Sequence, residues 1–121
     1  MTEFALLESL IRRHRTSALL LADAEGALLA GVTGGEAGQP VRTVARTYGQ
    51  VLAAAAPEIF ARRDEDPATF DPQGERCFVS PVHAAGRRFY FITVGRERAH
   101  QAALAEGGPR LWQVLAAREA A

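Results

Sequence analysis

Two consecutive apolar runs joined by a short polar turn constrain the fold of this chain most strongly. Residues 17–23 and 27–32 are apolar apart from their ends, and residues 24–26 form a turn that contains glycine. This pattern predicts a β-hairpin. The runs show little alternation of apolar and polar residues, which is typical of strands covered on both faces by helices. Leucine and alanine are mediocre strand formers, so a helical interpretation of the same segment stays open.

A first helix is predicted over residues 3–14. Five side chains recur there at three- and four-residue spacings, namely Phe4, Leu7, Leu10, Ile11 and His14. This spacing places them along one stripe of a helix, and the stripe is expected to face a core. Glu8 and Arg12 make a favourable i,i+4 pair on the same helix.

A second amphipathic helix is predicted after a loop that contains Gly34, Gly35 and Gly38. Its stripe is the clearest in the chain and comprises Val41, Val44, Ala45, Tyr48, Val51, Leu52 and Ala55. Pro40 suits the first turn of this helix, because its missing N–H has no intrahelical partner there. Pro57 predicts a kink or break near Ala56, with one further turn after it.

The last third of the chain predicts two or three antiparallel strands, over 69–71, 76–83 and 88–94. Pro81 cannot donate to a ladder, so its strand is expected to have an edge or a bulge at that point. A last helical region starts near Glu97, is interrupted at Gly107 and Gly108, and restarts with Pro109. It carries three apolar residues on one face, namely Leu111, Val114 and Leu115.

Length and composition fit one globular domain over residues 1–121, since 48% of the residues are hydrophobic and 23% are charged. The 14 basic and 14 acidic residues balance, which argues against nucleic acid as a partner. All the basic residues are arginine, and the lack of lysine excludes a Schiff-base lysine, a cofactor aldimine and a Walker-type phosphate loop.

The cysteine count and the hydropathy pattern predict a cytoplasmic protein. Cys77 is the only cysteine, so an intrachain disulfide cannot form, and a reducing compartment fits. The first residues lack a basic segment followed by an apolar run, and no stretch approaches the roughly 18 apolar residues that span a bilayer. We therefore expect neither export nor membrane insertion.

The predicted order is helix, two strands, helix, two or three strands, helix, and over nearly the whole chain it resembles the roadblock/dynein light chain family. Three local features carry the resemblance: the leucine-rich strand 19–22 with its acidic turn, the alanine-rich second helix, and a final helix that opens at 108–112. The extra length of 97–106 and the break at Pro57 depart from the family pattern. The hairpin pattern also opens many GAF, PAS and profilin-like domains.

The resemblance implies an α+β fold in which helices sandwich a five-stranded antiparallel sheet. The order would be α-β-β-α-β-β-β-α, with the second helix on one face and the terminal helices on the other. It also implies a dimer that pairs through the second helix and the neighbouring sheet edge, and that serves as a platform for Ras-like GTPases or signalling assemblies. The matching positions here are Arg42, Arg46, Tyr48, Gly49, Gln50, Ala53 and Phe70.

Residues with catalytic or metal-binding potential are few, and structural roles account for them better. His14, His83 and His100 are the only histidines. Cys77 and His83 stand six residues apart on one predicted strand, about 20 Å at 3.3 Å per residue, which is too far to share a metal or a proton. Cys77 is better interpreted as a small buried hydrophobe. We therefore expect no cofactor, no metal and no catalytic residue.

Other patterns have a functional and a structural interpretation. An acidic cluster of Asp64, Glu65, Asp66 and Asp71 does not match a calcium loop and is interpreted as solvated. The glycines of 31–35 lack a following lysine, so they indicate a flexible connection and not a phosphate cradle. Arg12, Arg13 and Arg15 could contact an acidic partner or could simply end a helix.

The aromatic residues raise a similar choice. Tyr48 suits either an interface or a core. Trp112 is expected to pack in the core. Phe89, Tyr90 and Phe91 alternate between two faces of a strand, so both faces should be covered.

Two functions from different classes follow from these observations. The first is a non-enzymatic dimeric adaptor or regulatory subunit, because the apolar surface of 41–55 exceeds what one small domain is expected to cover. The second is a small-molecule sensor of GAF or PAS type, which needs inward-facing polar groups in a pocket. The candidates for those groups are Ser80, Tyr90 and Thr93.

Overall fold

The structure, a computed structural model, describes residues 2–34, 54, 57, 58, 68–70 and 77–120, of which 68–70, 77, 119 and 120 are described by their backbone alone. The elements in chain order are α1 (Glu3–His14), β1 (Ala18–Ala22), β2 (Leu28–Thr33), β3 (Ala68–Phe70), β4 (Cys77–Ala84), β5 (Arg87–Val94) and α2 (Glu97–Ala120). The fold is therefore a mixed α/β fold. Of the helix predicted over 41–55, the structure describes Ala54 alone, which is helical.

Helix α1 begins and ends where the sequence predicts. Thr2 caps its first turn, since its Oγ1 accepts a hydrogen bond from the amide of Ala5 at 3.1 Å. Arg15 closes the helix in the left-handed conformation, and its N–H donates to the carbonyl of Ile11. The buried residues are Leu6, Leu7, Leu10 and Ile11. The predicted stripe was wrong at Phe4, which is 52% exposed, because the buried stripe is centred on Leu7 and Leu10 and includes Leu6 instead.

Strands β1 and β2 form the predicted hairpin, with Leu19 opposite Val32. The side chain of Asp23 builds the turn, because its Oδ1 accepts from the amides of Glu25 at 3.0 Å and Ala27 at 2.9 Å. Gly26 supplies the positive φ of 85° that the turn requires. All five residues of β1 are buried, which confirms that both faces of this strand are covered.

The sheet is antiparallel and has the strand order β2-β1-β5-β4-β3. Four strands have five or more residues, and β3 is a three-residue strand at one edge. Strand β3 pairs with β4 only as far as Val79, so Pro81 lies beyond the last residue that β3 covers. Within the described residues the predicted edge at Pro81 is therefore present, and the missing N–H of Pro81 breaks no described ladder with β3.

Both described helices lie on one face of the sheet and run antiparallel to each other. Their apolar side chains join alternate strand residues in one core, which includes Leu19, Leu21, Phe89 and Phe91. The intervening strand residues, which point to the opposite face, are buried as well, namely Leu20, Tyr90, Ile92 and Val94. The prediction that both faces of the Phe89–Phe91 segment are covered is thus confirmed.

Helix α2 is continuous from Glu97 to Ala120, so the predicted interruption at Gly107 and Gly108 was wrong. Packing overrides the low helix propensity of glycine here, because Gly107 is buried against α1. The predicted apolar face is confirmed, since Leu111, Val114 and Leu115 are buried.

Trp112 is 54% exposed, so its predicted place in the core was wrong. In an uninterrupted helix it lies about 100° around the axis from Leu111.

We predicted from the sequence that no segment spans a membrane. Of the described helices, neither α1 nor α2 has the combination of length and hydropathy that a bilayer span requires.

Candidate interaction surface

The predicted interface includes one position that the structure describes, Phe70 at the end of β3. Its backbone pairs with Cys77 of β4, and β3 is the last strand of the sheet on this side. In the described part of the chain no strand pairs with the outer side of β3. Open edges present unpaired N–H and C=O groups to which a strand of another chain can bind.

The other predicted interface positions lie outside the described residues. They are Arg42, Arg46, Tyr48, Gly49, Gln50 and Ala53. The acidic cluster around Asp64 and the predicted break at Ala56 lie outside them as well. On either side of that break, Ala54, Pro57 and Glu58 are helical.

A buried polar cluster lies between α2 and the sheet, on the face that carries both helices. Nε2 of His100 is 2.8 Å from Oγ of Ser80, and Nδ1 of His100 is 2.6 Å from Oγ1 of Thr93. The imidazole ring stacks between the rings of Phe78 and Phe91, with centroids 5.6 Å away on each side. Each ring nitrogen therefore has a hydroxyl partner, and one donates while the other accepts in the neutral ring.

Burial lowers the pKa of His100 from 6.5 to about 4, because the charged imidazolium loses its hydration inside the core. Ser80 beside a neutral histidine has the residue types of a nucleophile and its base. The surroundings do not fit that role, since Ser80, Thr93 and His100 are all buried and both ring nitrogens already have partners. The cluster ties α2 to β4 and β5 from within the core.

Sequence reasoning missed this cluster. It grouped His100 with Cys77 as metal-site candidates, and it assigned Ser80 and Thr93 to a sensor pocket. The sequence does contain a pattern that places His100 on the buried face of the last helix. Four residues follow each other there at three- and four-residue spacings and all are buried, namely His100, Ala103, Gly107 and Leu111. Among the described residues, no three of histidine, cysteine, aspartate and glutamate are grouped so that they could hold a metal ion.

Charged contacts hold the two helices together at both ends. Glu106 of α2 receives a hydrogen bond from Nε2 of His14 and an ion pair at 2.5 Å from Arg13, and these contacts lower its pKa, the His14 contact most. At the other end Arg118 reaches Glu3 at 3.2 Å. Arg13 thus has a partner within its own chain, which favours the structural interpretation of this arginine.

The predicted pair of Glu8 and Arg12 forms at 3.6 Å.

Gly34 was predicted to belong to a flexible connection, and this was wrong. A Cβ at this position would come 2.6 Å from Cγ1 of Ile11 and 2.8 Å from the carbonyl oxygen of Thr16. Its N–H also donates to the carbonyl of Ser17 at 3.0 Å. Gly34 therefore allows the chain after β2 to pass close to α1, and Gly31 is an ordinary strand residue of β2.

Comparison with solved structures finds the same fold over almost the whole chain. MglC from Myxococcus xanthus matches with a TM-score of 0.63 at 13% identity, over 90% of this chain and 95% of that one. The gliding protein MglB from Thermus thermophilus matches with a TM-score of 0.57 at 22% identity, over 93% and 84%. A Roadblock/LC7 domain from Streptomyces avermitilis matches with a TM-score of 0.52 at 15% identity, over 92% and 98%.

The sequence itself matches no family model and no curated protein. Identities this low show the fold alone. The architecture described above and these three structures agree, and the chain has a roadblock-like fold.

Proposed function

We propose that this chain is a non-enzymatic adaptor or regulatory subunit that works as a homodimer. The observation that carries the proposal is the edge of β3, with which no further described strand pairs, in a roadblock-like fold. In the dimer, β3 of one protomer pairs with β3 of its partner, and the two 41–55 segments lie against each other. Arg42, Arg46, Tyr48, Gly49, Gln50, Ala53 and Phe70 form the contact surface.

Two further observations support an assembly of this kind. The sequence of 41–55 has an apolar stripe from Val41 to Ala55 and a second face with Arg42, Arg46 and Gln50, so two of its faces suit contacts of different kinds. An MglB of the same fold has been described in a tetrameric arrangement.

The partner we propose is a small Ras-like GTPase, as the resemblance to the roadblock family implies. The dimer would present a surface that the GTPase recognises, and it would scaffold or regulate that protein without chemistry of its own. The His100 cluster supports the absence of catalysis where Ser80 and His100 meet, since both side chains are buried.

The three polar side chains that suggested a small-molecule sensor lie in two separate places. Ser80 and Thr93 are bonded to His100 inside a packed core, and Tyr90 is buried on the opposite face of the sheet. These three side chains therefore do not converge on a shared pocket.

A binding experiment with the full chain tests the proposal. A Ras-like GTPase of the source organism, loaded with GDP or with a non-hydrolysable GTP analogue, is titrated against the immobilised protein. Preference for one nucleotide state supports regulation, and equal binding supports a scaffold. Arg46→Glu should abolish binding along with dimerisation, whereas Arg98→Glu on the exposed side of α2 should leave both unchanged. Failure to bind in either nucleotide state would remove the GTPase from the proposal.

A further inference from the structure

The second edge of the sheet, formed by β2, has the features of a peptide-binding site. Strand β2 pairs with β1, and the strand order places no described strand on its other side. Natural edge strands are usually protected by charged residues, proline or a covering element. The residues of β2, Leu-Leu-Ala-Gly-Val-Thr, include neither a charge nor a proline.

The register of the hairpin identifies the backbone groups that face outward. The amide of Asp23 donates to the carbonyl of Ala27 across the hairpin, and the carbonyl of Ser17 accepts from the amide of Gly34. Every second residue of β1, including Leu19 and Leu21, therefore directs its backbone groups toward β2. Val32 and Ala30 therefore direct their backbone groups toward β1. Gly31 and Thr33 direct theirs away from β1, toward the side on which no described strand lies.

The same two residues line a cavity. Its volume is about 230 Å³, and its walls include Phe4 and Glu8 of α1 together with Leu20, Gly31 and Thr33. A water molecule occupies about 30 Å³, so the cavity has room for a side chain. Phe4 is exposed, and Glu8 is the only charged residue of the described lining.

We infer that the β2 edge binds an extended segment of a partner protein, which adds a strand to the sheet through Gly31 and Thr33. One apolar side chain of that segment enters the cavity between Phe4 and Leu20, and a neighbouring lysine or arginine pairs with Glu8. This mode of binding gives affinity through backbone hydrogen bonds and selectivity through alternate side chains.

Charge complementarity identifies the occupant as a foreign segment and not a second copy of this strand. Glu8 pairs with Arg12 at 3.6 Å among the described residues, and both side chains are substantially exposed, so Glu8 can accept another cation. Strand β2 carries no basic residue that could supply one. The inference is independent of the proposed dimer, because β2 and β3 are at opposite edges of the sheet.

Selection from phage-displayed random twelve-residue peptides on the immobilised full chain tests this inference. The recovered peptides should alternate apolar residues and carry a lysine or arginine. As synthetic peptides they should shift the amide resonances of Gly31 and Thr33. Glu8→Gln should weaken their binding about two- to five-fold, the range of an exposed ion pair. Glu97→Gln, a change at an exposed glutamate outside the cavity, should leave binding unchanged.

Methylation of the peptide backbone separates strand pairing from other modes of binding without altering the protein. Two versions of the peptide are compared, one with the odd-numbered amides methylated and one with the even-numbered amides methylated. Methylation of the amides that face β2 should abolish binding, and methylation of the other amides should leave it unchanged.

Three results would overturn the inference: no recovered peptide, equal binding by both methylated sets, or self-association of the protein that Gly31→Pro abolishes while the fold is retained. Each of these experiments can also be carried out on a protein that does not form the β3 dimer, so failure of the proposed function would not decide this inference.

Discussion

Gly107 lies directly against Leu10, so closely that a Cβ at position 107 would come 2.8 Å from Cδ1 of Leu10. Gly107 thus contacts α1 within a helix of 24 residues that contains two consecutive glycines. A Cβ on the first glycine would require the buried Leu10 side chain to shift. The second, Gly108, has no atom of another described element within 4 Å of the place a Cβ would occupy.

The two glycines should therefore respond in opposite ways to alanine. Gly108→Ala should stabilise the protein by about 0.5–1 kcal/mol, because alanine has the higher helix propensity and meets no neighbour. Gly107→Ala gains the same propensity but overpacks a buried contact, which costs about 1–3 kcal/mol, so the net effect should be destabilising. Urea unfolding at one protein concentration measures both. Equal stabilisation by the two substitutions would contradict the packing.

Acid should weaken the fold through His100. Burial holds its pKa at about 4, below the 6.5 of an ordinary histidine, so the unfolded chain takes up a proton before the folded chain does. The contribution of neutral His100 is complete above pH 6.5 and is lost as the pH falls toward 4. The expected slope is about 1.4 kcal/mol per pH unit within this window.

The variant that isolates this effect is His100→Gln, whose amide can still bond to Ser80 and Thr93 but does not titrate. It should be less stable than the original protein at pH 8, and its unfolding free energy should fall less steeply between pH 6.5 and 5. The ring resonances of His100 should still report a neutral imidazole at pH 5.5. A charged ring at that pH, or identical slopes in the two proteins, would show that the histidine is not buried as described.

Two neighbouring residues of α2 test the rotation of this helix about its axis. Leu111 is fully buried, so Leu111→Ala should cost about 2–5 kcal/mol of unfolding free energy. Trp112→Gln, one residue later, should change it by about 0.5 kcal/mol or less, because more than half of the indole is exposed. Thermal or denaturant unfolding distinguishes the two. A larger loss at position 112 would mean that the helix is interrupted at its glycines after all.

The sequence allowed the elements to be predicted where local patterns and packing agree. The hairpin followed from two apolar runs around Gly26, and α1 followed from its spacing of Leu7, Leu10 and Ile11. Pro81 marked an edge because proline lacks a donor. In each case one local rule was sufficient, since the residues that decide the structure are neighbours in the sequence.

The errors arose where a distant contact decides. Nothing near Gly107 indicates that Leu10 will lie against it, so two glycines and a proline predicted an interruption of α2. The same error misplaced Trp112, whose position depends on the helix being continuous. His100 finds its partners on two other elements, Ser80 on β4 and Thr93 on β5, and a pattern along one segment does not show that convergence.

The interface proposed for the 41–55 segment and Phe70 rests on the resemblance and on the open edge of β3. Its most direct test is the mass of the full chain in solution, measured by light scattering at micromolar concentration. The account predicts twice the 13.0 kDa of one chain, falling to 13.0 kDa in Arg46→Glu. A mass of 13.0 kDa for the unaltered protein at every concentration would contradict it.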